Sequence, residues 1–480
     1  MRQTFNLLML GVVAAAVVSC SKNNGTDNPN PTPSGSDTLS GAITADRTLS
    51  ANKVYYISGP VFVKNNATLK IEAGTVIKAI KNNNNKAVLV ITRGSKLNAE
   101  GTAAKPIVFT SNQAPGQRNP GDWGGVVLAG KAKVNTAYNG VPNQRLLEGF
   151  DVTDIAKYGG DLIGGGGTTP DDADNSGVLK YVRIEFSGIA LSAQPNSELN
   201  GLSFIAVGSG TVVENVQVSF SGDDSFEWWG GTVNAKNLIA FRGLDDDFDT
   251  DNGYRGNVQF GLSVRDKDLS DWALSGGASN GFESDNEDPV PATLSQPITA
   301  PTFSNMTFLG PTAITGAVLP NNNAFKRAAH LRRGTQLSVF NSVFASFPDA
   351  GIFIDGALSQ GFFDNGDMQI KNNIVAAFPT GKYLTTNPAT WDIIGKLVNA
   401  TFKNDASITT VADLKLANLA SLTTVDARPV AGSPLLNKAE FTSAKISGTF
   451  FKKVTYAGAF DVNDTWAQGW TNWDPNNTNY

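Results

Sequence analysis

The chain has 480 residues, with 38 Lys and Arg against 43 Asp and Glu and a formal net charge of −5. Only 17 % of residues are charged and 49 are glycine, which excludes a disordered polyelectrolyte or a mainly helical protein and leaves a turn-rich, β-rich one. There is no basic stripe to hold nucleic acid, and a single cysteine excludes disulfides and thiolate zinc sites.

In chain order, Arg2 precedes an apolar run from Leu7 to Val18 that ends at Ser19-Cys20. A charged start, a short apolar segment and a small residue before the cut read as a secretory signal over 1–19, too short to span a bilayer. Val17-Val18-Ser19-Cys20 resembles the lipobox of bacterial lipoproteins. That resemblance implies lipidation of Cys20, which would then be the first residue of the mature chain and its link to the membrane. Residues 20–41 are rich in Asn, Pro, Ser and Gly and are expected to be a disordered tether, spanning about 25 Å root-mean-square. Such a tether lifts a folded body off a membrane, so the expected location is the cell envelope, as an outer-membrane lipoprotein able to face the cell surface. Ser21-Lys22-Asn23-Asn24 lacks the acidic residues that direct some Bacteroidota lipoproteins to the surface, which leaves the leaflet open.

The folded body is expected over 42–425. VYYISGPVFVKNNATLKIEAGTVIKAI and AVLVITRGSKLNAEGTAAKPIVFTS are short β-rich runs cut by Gly and Asn. Val63 to Leu69 and Ile91 to Leu97 repeat the same spacing 28 residues apart, as successive coils would. Residues 135–176 carry few strand signals and the run Gly164 to Gly167, and are expected to be a long excursion from one coil. Strand signals resume at Gly177. Asn215, Asn237, Asn257, Asn305 and Asn341 each stand beside alternating apolar residues, where a solenoid uses Asn for left-handed corners and stacked amides.

The centre of the chain repeats itself. Glu214 to Gly231 and Lys236 to Gly253 align at an offset of 22, with Asp223 on Asp245, Asp224 on Asp246, Phe226 on Phe248 and Glu227 on Asp249. A repeat of this length with no helical period predicts stacked coils of short parallel strands. Strand alternation then sends Phe226, Phe248 and Phe282 inward and the acids outward. The acids are Asp223, Asp224, Glu227, Asp245, Asp247, Asp249, Asp251, Glu283 and Asp285. Coils stack about 4.8 Å apart, where two carboxylates repel by about 1 kcal/mol in water and about 3–4 kcal/mol at an effective dielectric near 20. The carboxylates must therefore take up protons or hold a cation, and several hard oxygens suit Ca²⁺. Asp223, Asp224, Glu227, Asp245, Asp247, Asp249, Asp251, Glu283 and Asp285 are the expected metal ligands. Asp172-Ala173-Asp174-Asn175-Ser176 is a second calcium-like fragment, with Arg183 where an EF-hand has its distal Glu. Trp228 and Trp229 adjoin the ladder as candidates for stacking on a sugar, although alternation turns one of them inward. His330, the only histidine, reads as structural or surface.

Ala412 to Leu419 is expected to form a short helix. The aromatic tail over 426–480, with Trp466, Trp470 and Trp473, reads as the cap that closes the open end of a solenoid.

TLSANKVYYISG, PGDWGGVVLAGKA, FEWWGGTVNAKNLIAFRGLDDDFDTDNGY, AGSPLL and YAGAFDVNDTW together resemble the right-handed parallel β-helix, pectin-lyase-like proteins, in particular secreted or lipid-anchored ones of Bacteroidota. The resemblance implies an all-β, single-stranded solenoid with a C-terminal cap. For function it implies binding of a polysaccharide or an outer-membrane protein partner, or else cleavage of an acidic polysaccharide by a lyase or hydrolase. Gly222-Asp223-Asp224 resembles the acidic segment of polygalacturonase-type hydrolases, whose Asn-Thr-Asp and His-Gly segments are missing here. The catalytic candidates are Asp223, Asp224, Asp245, Asp246 and Arg242, with Arg255, Arg265 and Lys236 as further bases for a calcium-assisted lyase.

Overall fold

The computed structural model describes residues 34–150, 152–189, 198–271 and 277–480. Cys20 and the signal segment lie outside them. The described chain is an all-β solenoid whose strands stack in register as three parallel ladders. The first ladder runs from Arg47–Leu49 through Thr68–Ile71 to Ile370–Lys371. The second runs from 35–39 through Val76–Ala79 to Ile374–Ala376. The third contains Val88–Ile91, Val126–Ala129, Leu202–Ile205, Phe226–Trp229, Phe248–Asp251, Phe282–Ser284, Arg327–Leu331, Ala350–Ile354 and Gly381–Thr385.

Both sequence repeats are structural registers. Val63 pairs with Ile91 and Leu69 with Leu97 in the early coils; Glu214 pairs with Lys236 and Phe226 with Phe248 in the central ones. The corner between the first and second ladders is one left-handed residue. Asn215, Asn237, Asn305, Asn341 and Asn372 fill it with φ between 53° and 59°. Asn is the side chain that tolerates this backbone best after Gly. Asn257 is a correction to the expected Asn column. It opens a strand and bonds to Asn234 Oδ1 at 3.0 Å, while Phe260 takes the corner at φ 65°.

The core is the inside of the coils. Phe226 and Phe248 stack with centroids 5.4 Å apart and 5° between planes, and Phe282 continues the column 5.9 Å further on. The C-terminal end is closed by the helices Gly356–Asp364 and Ile393–Leu397, whose Phe363, Ile393 and Leu397 join the core with Trp391.

Three expectations about domain limits are revised. Order begins earlier than residue 42: the strand Gly35–Ile43 pairs with Lys53–Val63 because Leu39 and Ile43 alternate into the core. Residues 412–419 form one 3₁₀ turn, Ala412–Leu414, ended by left-handed Lys415, and then a strand. The aromatic tail does not cap the end. It runs back along the solenoid as a strap: Glu440 bonds with Asn341, Lys452 with Gln259, Trp466 with Asn215, Asn472 with Gln217, and Tyr480 with Glu185. The second ladder explains this path. Its outward residues Phe220, Phe241, Leu262 and Val264 are apolar, and Trp470, Phe460 and Val425 cover them.

Candidate metal centre

The excursion between Val126–Ala129 and Gly177–Glu185 is a small folded unit. It holds the strand pairs Ala137–Tyr138 with Val141–Pro142 and Arg145–Leu146 with Ile163–Gly164, and the helix Val152–Tyr158. Leu147, Phe150 and Leu162 pack on Phe62, Val127 and Trp229, outside the third ladder. The excursion therefore lies against the flank that carries the acids.

On that flank Glu227, Asp249 and Glu283 stand in register on consecutive strands, all facing outward. Just before the strands runs a column in which a side-chain oxygen accepts a backbone N–H from the next coil. Asp246 N donates to Asp224 Oδ1 at 2.8 Å, Asn280 N donates to Asp246 Oδ1, and Arg327 N donates to Asn280 Oδ1 at 3.2 Å. This bond satisfies an otherwise buried donor at the turn, which is why Asp or Asn recurs there. Gly222 precedes the column because a Cβ there would lie 2.3 Å from the Gly188 carbonyl.

Two trios of carboxylates result, Asp223 with Asp224 and Asp245, and Asp224 with Glu227 and Asp249. Within each trio the ligand oxygens lie within 4.8 Å of one another. Asp224 and Glu227 are buried; Asp223, Asp245 and Asp249 are partly open to solvent. Burial first, and then neighbouring acids, raise all five well above the ordinary carboxylate range. Asp246 is raised by burial and Glu283, against the pull of Arg265. Among the described residues none of these six forms an ion pair. Asp245 Oδ1 and Asp249 Oδ1 are buried atoms without a hydrogen-bond partner. Carboxylates that are close, desolvated and partly unpartnered are the donor set that a hard cation such as Ca²⁺ takes.

The other end of the ladder is already neutralised. Arg332 bridges Glu283 and Asp285, Arg333 joins Asp285 at 2.5 Å, and His330 lies 3.4 Å from Glu283 and 3.1 Å from Asp355. Against the burial that would raise it, the His330 hydrogen bond and Arg332 hold Glu283 below its ordinary value. Glu283 and Asp285 are thus ion-pair partners, and His330 is a buried bridge.

Asp247 leaves the expected ligand set. It precedes the strand and turns into the solenoid, where Arg265 Nε donates to it at 2.9 Å with both side chains fully buried. Asp251 does face outward, beside Asp285, and burial pushes it up to about 7. The fragment 172–176 holds backbone instead of gathering ligands: Asp174 accepts from Lys131 N at 3.1 Å and Asp172 from Lys133 N at 3.0 Å.

The candidate bases are engaged elsewhere. Arg242 pairs with Asp266 and lies over Phe220, Arg255 pairs with Asp172, Arg265 with Asp247, and Lys236 lies over Phe450. Trp228 is a core residue stacked between Phe204 and Tyr254, so it is no sugar platform. Trp229 faces outward, but Arg145 of the excursion covers its ring at 3.3 Å.

Glu148, Arg145 and Asn200 were missed by sequence reasoning. Glu148 and Arg145 belong to no repeat. Asn200 could have been found, because Leu202–Ile205 pairs with Phe226–Trp229 at an offset of 24, which sets Asn200 over Asp224. Residues 41–471 match the family profile described as pectate-lyase like beta helix domain. No curated protein matches the chain.

Proposed function

The chain belongs to the pectate-lyase-like β-helix family, and from the two carboxylate trios we propose that it is a carbohydrate-binding protein of the bacterial cell envelope whose acidic ladder holds Ca²⁺. The carrying observation is the pair of trios sharing Asp224, whose members form no ion pair with the described residues. Calcium there would leave coordination positions facing solvent through Asp223, Asp245 and Asp249. An acidic polysaccharide can fill such positions with its own carboxylates. Membrane attachment rests on the lipobox pattern ending at Cys20, and a Bacteroidota origin on the sequence resemblance; an outer-membrane protein partner is the competing ligand.

A second reading, hydrolysis of such a polysaccharide, is favoured by the half-open Asp223 and Asp245. Burial first, and then neighbouring acids, raise both, which favours the protonated form that a general acid needs. A lyase is less favoured, since each candidate base is paired or packed elsewhere.

The test is calcium titration of the full chain with polygalacturonate as the probe ligand. Calcium-dependent retention of polygalacturonate, abolished in Asp245→Asn, supports binding. New reducing ends would make the protein a hydrolase, and an unsaturated product a lyase. No calcium uptake by the wild type overturns the reading.

A further inference from the structure

Asn200 breaks the pattern of its column. It is 1 % exposed and stands one coil before Asp224, yet its side-chain oxygen accepts no N–H from the next coil. Its Nδ2 instead donates to Glu148 Oε2 at 2.9 Å and to Glu227 Oε2, leaving Oδ1 without a partner. Ser203 pairs with Glu227 and points to the same face; it is 1 % exposed and its Oγ is also unpartnered. Two carboxylates thus converge on a single neutral amide, with two more buried oxygens beside them lacking donors. A neutral amide balances neither charge, and a buried oxygen without a donor is destabilising.

We infer that Glu148, Asn200, Ser203 and Glu227 form a second calcium site, which shares Glu227 with the Asp224, Glu227 and Asp249 trio and is distinct from the Asp223, Asp224 and Asp245 trio, and that its cation fastens the excursion onto the third ladder. The inference rests on the reading of this flank as a calcium-binding face. Two carboxylates, an amide oxygen and a hydroxyl are hard donors, and water fills the remaining positions of a six- to eight-coordinate ion. Turning the Asn200 amide exchanges its nitrogen and oxygen with no change of shape, so Oδ1 can face the cation. Glu148 is the only one of the four carried by the excursion, which makes it the link between cation and loop closure.

The experiment uses the full chain, wild type beside Glu148→Gln and Asp245→Asn, at pH 8. Calcium stoichiometry is read by isothermal titration. Loop closure is read by hydrogen exchange of the Leu147 amide, which donates to Leu162 O at 2.8 Å. In the wild type, calcium slows this exchange by at least ~10-fold. Glu148→Gln binds one ion fewer and loses the slowing, while Asp245→Asn also loses an ion but keeps it. Glu148→Gln has the shape of the protonated acid, so its fold in EDTA matches the wild type. If Glu148→Gln keeps both the stoichiometry and the slowing while Asp245→Asn loses an ion, the second site is refuted and the trio stands. If only Glu148→Gln loses an ion, the second site stands and the trio reading fails.

Discussion

Asp224→Asn is the sharpest test of the acidic ladder, because its effect should reverse with calcium. The two trios contain six carboxylate pairs, and Asp224 belongs to four of them. At 4.8 Å and an effective dielectric near 20, each ionised pair repels by about 3.5 kcal/mol, so four pairs would cost Asp224 about 14 kcal/mol. Protonating a carboxyl of ordinary pKa 3.8 at pH 8 costs only about 6 kcal/mol. Without metal, protonation is therefore the cheaper way to hold Asp224, and about 6 kcal/mol is the ceiling on its penalty at that pH. Asparagine has the shape of the protonated acid and still accepts the Asp246 N–H through Oδ1. Asp224→Asn should thus be more stable than wild type in EDTA at pH 8, by up to about 6 kcal/mol, and indistinguishable at pH 4. In calcium the order changes. A native-state ligand at a hundred times its dissociation constant adds about 2.7 kcal/mol to the wild type, and the variant lacks the ligand common to both trios. The assay is urea unfolding of the full chain in EDTA and in calcium, at pH 4 and pH 8. A variant less stable than wild type in EDTA at pH 8, or one with the wild-type calcium response, would refute the reasoning.

Three further outcomes are expected. Asp251 is held near pKa 7 when folded against 3.8 unfolded, so the native state binds the proton more tightly and stability falls between about pH 4 and pH 7. In EDTA, Asp251→Asn should remove this slope and gain about 4 kcal/mol more at pH 8 than at pH 4, measured by chemical denaturation. Arg265→Met should cost about 3–5 kcal/mol, since it leaves Asp247 without its counter-ion and the Gly243 carbonyl without its donor inside the solenoid; an unchanged urea midpoint would contradict this. Trp470→Ala should cost about 3–5 kcal/mol and speed hydrogen exchange around Phe220 and Phe241, in the middle coils that an end cap would not touch.

How much of this was legible in the sequence follows from what each contact depends on. The coil register was readable because it is a local property. A 22-residue offset that superimposes Phe226 on Phe248 must also superimpose Glu227 on Asp249, and the structure pairs both. The corner Asn residues were readable for the same reason, and Asn257 failed because the offset changes in its coil and moves the corner to Phe260. Strict alternation also misled. Asp247, Asp249 and Asp251 share a parity, but the strand begins at Phe248, so Asp247 lies in the turn and is free to find Arg265 inside. The strap was misread because a terminal aromatic segment fits an end cap equally well. What distinguishes the two is the apolar outer face of the second ladder, whose Phe241, Leu262 and Val264 alternate with core residues and look like core themselves. Glu148 was beyond reach, since contacts between a unique excursion and a repeat leave no periodic trace.

The uneven neutralisation of the ladder separates architecture from function. If the acids served only to stack coils, the whole ladder would be paired, and Arg332, Arg333 and His330 show that the fold can supply the partners. Those partners stop at Glu283 and Asp285, while Asp223, Asp224, Glu227, Asp245 and Asp249 remain close together and desolvated. Of these, only Asp224 makes the turn bond that gives the column a structural reason, and Asn would serve that bond equally well, as Asn280 does two column members further on. Carboxylates at positions where a neutral amide would stabilise the fold are explained by what they bind. The same reasoning makes the excursion part of the site, because Arg145 and Glu148 bring a cation over Trp229 and an additional acid to Asn200, neither of which the coils need in order to stack.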